Sequence, residues 1–278
     1  MSRRPRSRSR KSLRQAESFP VGWAVLGGVV LLAVIGGFAW LYVGALARNP
    51  ERDPDTLCPR AGPTEQVLVL VDVTDPIGSI TQQDVLNQLN AIADGLAKGG
   101  RFELRVLEPG NGRTRTIFDA CNPGDGSDLD HWTGNPEAAK RRWEERFDGP
   151  LQEAMNAALD AGAADTSPIM AGIQRIAVDR LGTNDVKAIS NRLIVISDML
   201  ENTAAFSMYR SGPDYTAYKA SKAPSEYGTD LAGAGVETWL LRRDTEFASS
   251  AVAEFWAAWV QDNKGRFIRA LQLQGLSQ

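Results

Sequence analysis

Apolar positions fall along this chain in three patterns, and each predicts a different kind of element. Residues 21–46 carry no charged side chain, and an apolar run of that length predicts a helix that crosses a bilayer, which takes roughly 20 residues. Residues 67–71 and 193–196 are apolar at consecutive positions, the mark of short strands buried on both faces. Elsewhere apolar residues recur every three or four positions. Val85, Leu86, Leu89, Ile92, Ala93 and Leu96 form one face of a helix that Thr81 and Asp84 would open and Gly99 and Gly100 would close.

The rest of the chain continues the alternation. Residues 102–107 and 114–118 read as strands, and Pro109, Gly110, Asn111 and Gly112 between them predict a hairpin. Trp143, Phe147, Leu151 and Met155 fall four apart, giving two helical stretches broken or kinked at Gly149 and Pro150, with core packing as their role. Thr166, Ser167 and Pro168 open a helix that carries Ile169, Met170, Ile173, Ile176 and Leu181. A strand over 236–241, a helix over 247–260 with Phe255, Trp256 and Trp259, and an edge strand around 267–271 follow. This order predicts an α/β fold: a Rossmann-like, doubly wound, mostly parallel sheet covered on both faces, preceded by one transmembrane helix.

Charge gives the run an orientation. Arg3, Arg4, Arg6, Arg8, Arg10, Lys11 and Arg14 all precede the first acid, Glu17. Basic flanks stay in the cytoplasm, so residues 1–18 read as a cytoplasmic arm and 19–47 as a transmembrane helix. Residues 48–64 then form a linker rich in proline and charge, and 65–278 a periplasmic or extracellular domain. Trp23, Trp40 and Tyr42 lie near the ends of the run, where interfacial aromatics belong. Ala45, Leu46 and Ala47 have the form of a signal cleavage site, but the apolar core of a signal is roughly 7–15 residues, so a retained anchor is expected. Arg3 and Arg4 lack the apolar residues that follow a twin-arginine signal. Gly27, Gly28, Gly36, Gly37 and Gly44 would let spans pack closely, although glycine is common in spans generally.

Removing the arm's seven basic residues leaves 24 Lys and Arg against 34 Asp and Glu. So acidic a domain is not built to hold nucleic acid. The arm suits topology and anionic lipid. Both cysteines, Cys58 and Cys121, lie beyond the span, and an oxidising compartment would join them, pinning the linker to a loop of the domain. With His131 alone they make no zinc site. Residues 122–135 form a loop dense in glycine and aspartate. From Gly124 to Asp130 its composition resembles a calcium loop, but the EF-hand register is not met and a solvated surface loop is expected.

Three loops present short oxygen side chains: Asp72, Thr74 and Asp75; Thr166 and Ser167; Asp198 with Glu201. Such a set suits a hard divalent cation, magnesium first. Over residues 66–271 the constellation resembles the von Willebrand factor A domain, whose metal-ion-dependent adhesion site uses DxSxS after the first strand, a threonine from a second loop and an aspartate after a later strand. Asp72 matches the first aspartate, Thr74 stands for the first serine, and Asp198 matches the third-loop aspartate within residues 197–202. Thr166 or Ser167 would supply the second loop. Pro76 falls where the family has its last serine, leaving that position to Asp75 or Ser79. The resemblance implies a non-enzymatic, membrane-anchored module that recruits a protein partner, whose carboxylate completes the coordination of the metal. Two other readings use the same residues. One is a structural scaffold with a vestigial site. The other is a haloacid-dehalogenase-type phosphatase with Asp72 as nucleophile, Ser197 from a second strand, Lys187, and the acidic pair Asp244 and Glu246; Thr74 stands where such an enzyme carries an acid.

Overall fold

A computed structural model describes residues 21–48, 51–72, 77–108, 110–129, 134–159, 166–182, 189–241 and 247–273. The chain divides into two units, Met1–Pro50 and Glu51–Gln278. In the first, helix α1 (Val21–Arg48) contains the stretch Val25–Gly44, with a mean hydropathy of 2.2. By length and composition it can cross a membrane.

The second unit is built on one six-stranded sheet. Its strands are β1 (Glu65–Val71), β2 (Arg101–Leu107), β3 (Thr114–Cys121), β4 (Ser190–Ser197), β5 (Gly235–Leu240) and β6 (Arg266–Gln272). They lie in the order β3-β2-β1-β4-β5-β6, with β3 antiparallel and every other pairing parallel. This is the doubly wound order, reversing direction between β1 and β4. β2 and β3 form the predicted hairpin.

Helices between the strands are α2 (Ser79–Asp94), α3 (Pro136–Trp143), α4 (Gly149–Leu159), α5 (Ile169–Ile176), the short α6 (Met208–Ser211), α7 (Tyr215–Ala220) and α8 (Ala223–Tyr227), and α9 (Ser249–Asp262). Alternate residues of β1 serve opposite cores. Val67, Val69 and Val71 pack with Val85 and Leu89 of α2 and Leu151 and Met155 of α4, whereas Leu68 and Leu70 pack with Ile169, Met170 and Ile173 of α5. Each such fully buried side chain contributes about 1.5–3 kcal/mol. The second core also holds Phe255, Trp256 and Trp259 of α9, where Trp259 donates to the Tyr218 hydroxyl at 3.0 Å.

Two predicted boundaries move. α2 starts directly after Gly78 without a side-chain cap and ends at Gly95, whose N–H bonds Ala91 O. The next turn is drawn off toward β1, because Glu65 Oε1 accepts the Ala97 N–H at 2.8 Å. The expected break or kink at Gly149 and Pro150 takes the form of a π turn just before them, Glu144–Asp148, that joins α3 to α4. Proline has no N–H to donate, and one wider turn ahead of it lets the helix run on with Phe147, Leu151 and Met155 all buried.

Residues 51–64, read from sequence as a linker, are docked on the sheet. A Cys58–Cys121 disulfide ties them to the end of β3, with the Cα atoms 4.7 Å apart. Cys121 N–H donates to Thr56 O at 2.8 Å, and the Arg52 guanidinium donates to Leu57 O and Asn122 O.

Candidate functional site

β1 and β4 are register partners up to Val71 and Ile196, so Asp72 emerges beside Ser197 at the C-terminal edge of the sheet. Asp72 N–H still donates to Ile196 O at 2.9 Å, holding its side chain at the strand end. This crevice, at the point where the winding reverses, is where open α/β sheets bind ligands.

Two other chain segments converge on the buried Asp72 carboxylate. Ser167 Oγ donates to Asp72 Oδ2, and Ser197 Oγ lies 3.1 Å from the same oxygen. Ser197 Oγ is also 3.3 Å from Asp198 Oδ1, so one hydroxyl links the two carboxylates. A tight turn positions Asp198: its Oδ1 accepts the Leu200 N–H at 2.9 Å, and Ser197 Oγ accepts the Met199 N–H at 2.9 Å. Met199 takes φ 61° there, an uncommon conformation outside glycine, and the buried indole of Trp256 fixes it by donating to Met199 O at 2.8 Å.

The second and third loops are clamped together. Ser167 and Asn202 exchange two backbone hydrogen bonds, of 3.3 and 3.0 Å. The helix after Ser167 has no cap of its own, for Pro168 occupies the N-cap position. Glu201 supplies what is missing: from the third loop its Oε2 accepts the Met170 N–H at 2.9 Å. Glu201 is wholly buried, and among the described residues its Oε1 has no hydrogen-bond partner. Burial pushes its carboxyl up to about 8, with the nearby Asp72 charge adding to the effect, so at neutral pH it holds a proton.

Of the residues singled out from sequence, the structure brings Asp72, Ser167 and Asp198 together. Thr166 faces elsewhere: its Oγ1 accepts the Gly110 N–H at 3.0 Å and so fastens the β2–β3 turn to the second loop. Thr74, Asp75 and Pro76 lie outside the described residues, as do His131, Asp130, Lys187, Asp244 and Glu246. Ser79 is exposed on the first turn of α2. Ser197 is absent from the expected cation donors and enters only the phosphatase reading, although as the last residue of the second strand it has to stand beside Asp72 once β1 and β4 pair. In the glycine-rich loop, Asp125 Oδ1 accepts the Ser127 N–H at 2.9 Å and Asp128 pairs with Lys98 at 3.2 Å.

Among the described residues no group of three or more His, Cys, Asp or Glu side chains forms a metal centre. The donors at the Asp72 crevice are two carboxylates supplemented by serine hydroxyls. Such an all-oxygen set fits a hard cation that retains waters and does not fit zinc or copper.

No family model matches the sequence, and no curated protein matches it. Among solved structures, an aerotolerance-related membrane protein from Bacteroides fragilis is similar, at 14% identity and a TM-score of 0.36, with 76% of this chain and 92% of that one covered. Manganese-loaded TRAP protein from Plasmodium vivax shows 12% identity and a TM-score of 0.36, covering 71% of this chain and 63% of that one. A von Willebrand factor type A structure from Catenulispora acidiphila shows 13% identity and a TM-score of 0.37, covering 77% of this chain and 39% of that one. At these identities and scores the likeness carries no function across to this chain.

Proposed function

We propose that this chain is a membrane-anchored, exported binding module of the von Willebrand factor A kind that recruits a protein partner through a divalent cation, magnesium in the first place. The observation that carries the reading is the convergence of the Ser167 and Ser197 hydroxyls on the Asp72 carboxylate, with Asp198 reached through Ser197. Three separate segments deliver oxygen donors to one point at the sheet's switch crevice.

Asp72, Ser167, Ser197 and Asp198 would hold the cation, with Thr74 and Asp75 from the first loop. When bound, such a cation offers an open position to a carboxylate of the partner. Protonated Glu201 keeps a third negative charge out of the site while fastening its second and third loops. α1 would anchor the module, with residues 1–18 in the cytoplasm and 65–278 on the periplasmic or extracellular side, joined by 48–64.

Calorimetric titration of the full chain in detergent micelles with magnesium, manganese and calcium tests the reading. Binding that Asp72→Ala and Asp198→Ala each abolish, with the fold retained by circular dichroism, is the expected result. Absence of binding by all three cations would leave a scaffold with a vestigial site. Turnover of a phosphate ester, lost in Asp72→Asn, would replace the binding module by a phosphatase.

A further inference from the structure

On the α2 side of the sheet one polar row crosses three strands. Arg192 on β4, Glu237 on β5 and Arg269 on β6 stand side by side; Glu237 is the direct register partner of Arg269, and Arg192 lies two residues before its partner on β4, Ile194. Glu237 is buried. Its Oε1 accepts from Arg192 Nε at 2.7 Å, and its Oε2 accepts from Arg269 Nε at 2.9 Å and from Trp239 Nε1 at 3.3 Å. Burial alone would raise the Glu237 carboxyl, but the two guanidiniums outweigh it and hold the group below the ordinary carboxylate range.

One arginine would neutralise this carboxylate; the row carries two. Each lends Glu237 its Nε, and among the described residues neither guanidinium has a hydrogen-bond or ion-pair partner other than Glu237. Both side chains line an open cavity of about 340 Å³ that lies between the row and the C-terminal half of α2. Ile92 and Trp239 contribute its apolar wall, and Ser190 and Gln88 further polar groups. Glu65, the one carboxylate among the described lining residues, is tied to the Ala97 N–H. The volume is that of a small-molecule site. Paired guanidinium forks are the preferred donors to carboxylates.

We propose that this cavity binds a small organic carboxylate, held by the outer nitrogens of Arg192 and Arg269, while Glu237 keeps the two guanidiniums in place. The site is separate from the Asp72 crevice. Arg192 lies five residues before Ser197 on β4, roughly 16 Å along the strand, so this inference and the proposed cation site fail independently.

Malonate is the probe. Titrated calorimetrically into the full chain in detergent micelles, it is expected to bind, and Arg192→Lys and Arg269→Lys are each expected to weaken it tenfold or more. Lysine preserves an ion pair to Glu237 but has no fork, so these variants keep the fold, checked by an unchanged melting temperature. Asp72→Ala should leave malonate binding as it is. No binding at roughly 10 mM, a Kd that corresponds to very weak association, would overturn the proposal, and so would wild-type affinity retained in both lysine variants.

Discussion

Glu201 shows how a single side chain links stability to pH. Burial, with the nearby Asp72 charge adding to it, raises its pKa from the ordinary 4.5 to about 8. Below about pH 4.5 the folded and unfolded chains both carry the proton. Between there and about pH 8 the unfolded chain has released it and the folded chain keeps it, so stability falls as pH rises. Above about pH 8 both forms are ionised and the dependence flattens. Glu201→Gln keeps an oxygen for the Met170 N–H and cannot ionise. Urea unfolding at pH 6 and pH 9 should therefore show the wild type losing stability between the two values, and the variant losing markedly less. None of this follows from the position of Glu201 in the sequence, where it reads as one more oxygen side chain beside Asp198.

At the scale of elements, the strap of residues 51–64 and the outer strands matter most. The strap is held to β3 by a disulfide that closes a loop of 63 residues. Chain entropy assigns such a closure about 4 kcal/mol. Reduction, or Cys58→Ser with Cys121→Ser, should lower the unfolding free energy by a matching amount and leave the proposed cation binding as it is, since the bridge lies at the sheet end opposite Asp72. The pairing was readable from compartment and cysteine count. The ionic layer beside it was not. Arg101, Glu103 and Arg105 alternate along β2 as any half-exposed strand could, yet Glu103 and Arg105 are buried. Arg180 and Asp179, from the π turn Ala177–Leu181 after α5, complete the layer: Arg180 bridges Glu103 and Asp119, and Asp179 pairs with Arg105 at 2.8 Å. A partner some 75 residues away decides whether such a strand faces water or a salt-bridge network.

At the scale of the whole folded unit, Glu51–Gln278, the 51–64 strap is fastened at one edge of the sheet and the Asp72 crevice lies at the other. Cys121 pairs in register with Arg101 at the start of β2, whereas Asp72 and Ser197 follow the ends of β1 and β4. The apolar helix Val21–Arg48 sets the cellular prediction. After alkaline carbonate washing the full chain should stay in the membrane pellet, whereas a chain lacking residues 1–48 should be released. Protease added to the outer face should digest the folded unit and spare an N-terminal tag.

Sequence alone determined the apolar span, the alternation of strands and helices, the hairpin and the strand that ends in Asp72, because each is written in local periodicity or local turn chemistry. The tertiary structure alone decided which second-loop hydroxyl reaches Asp72. Ser167 and Thr166 are chemically interchangeable neighbours, and Thr166 is claimed by the Gly110 N–H across 56 residues. It also decided that Ser197 joins the site, that Glu201 caps a helix from another loop, and that Arg192, Glu237 and Arg269 form one row. Those facts depend on which strands lie side by side, and strand order is set by packing between segments far apart in the chain.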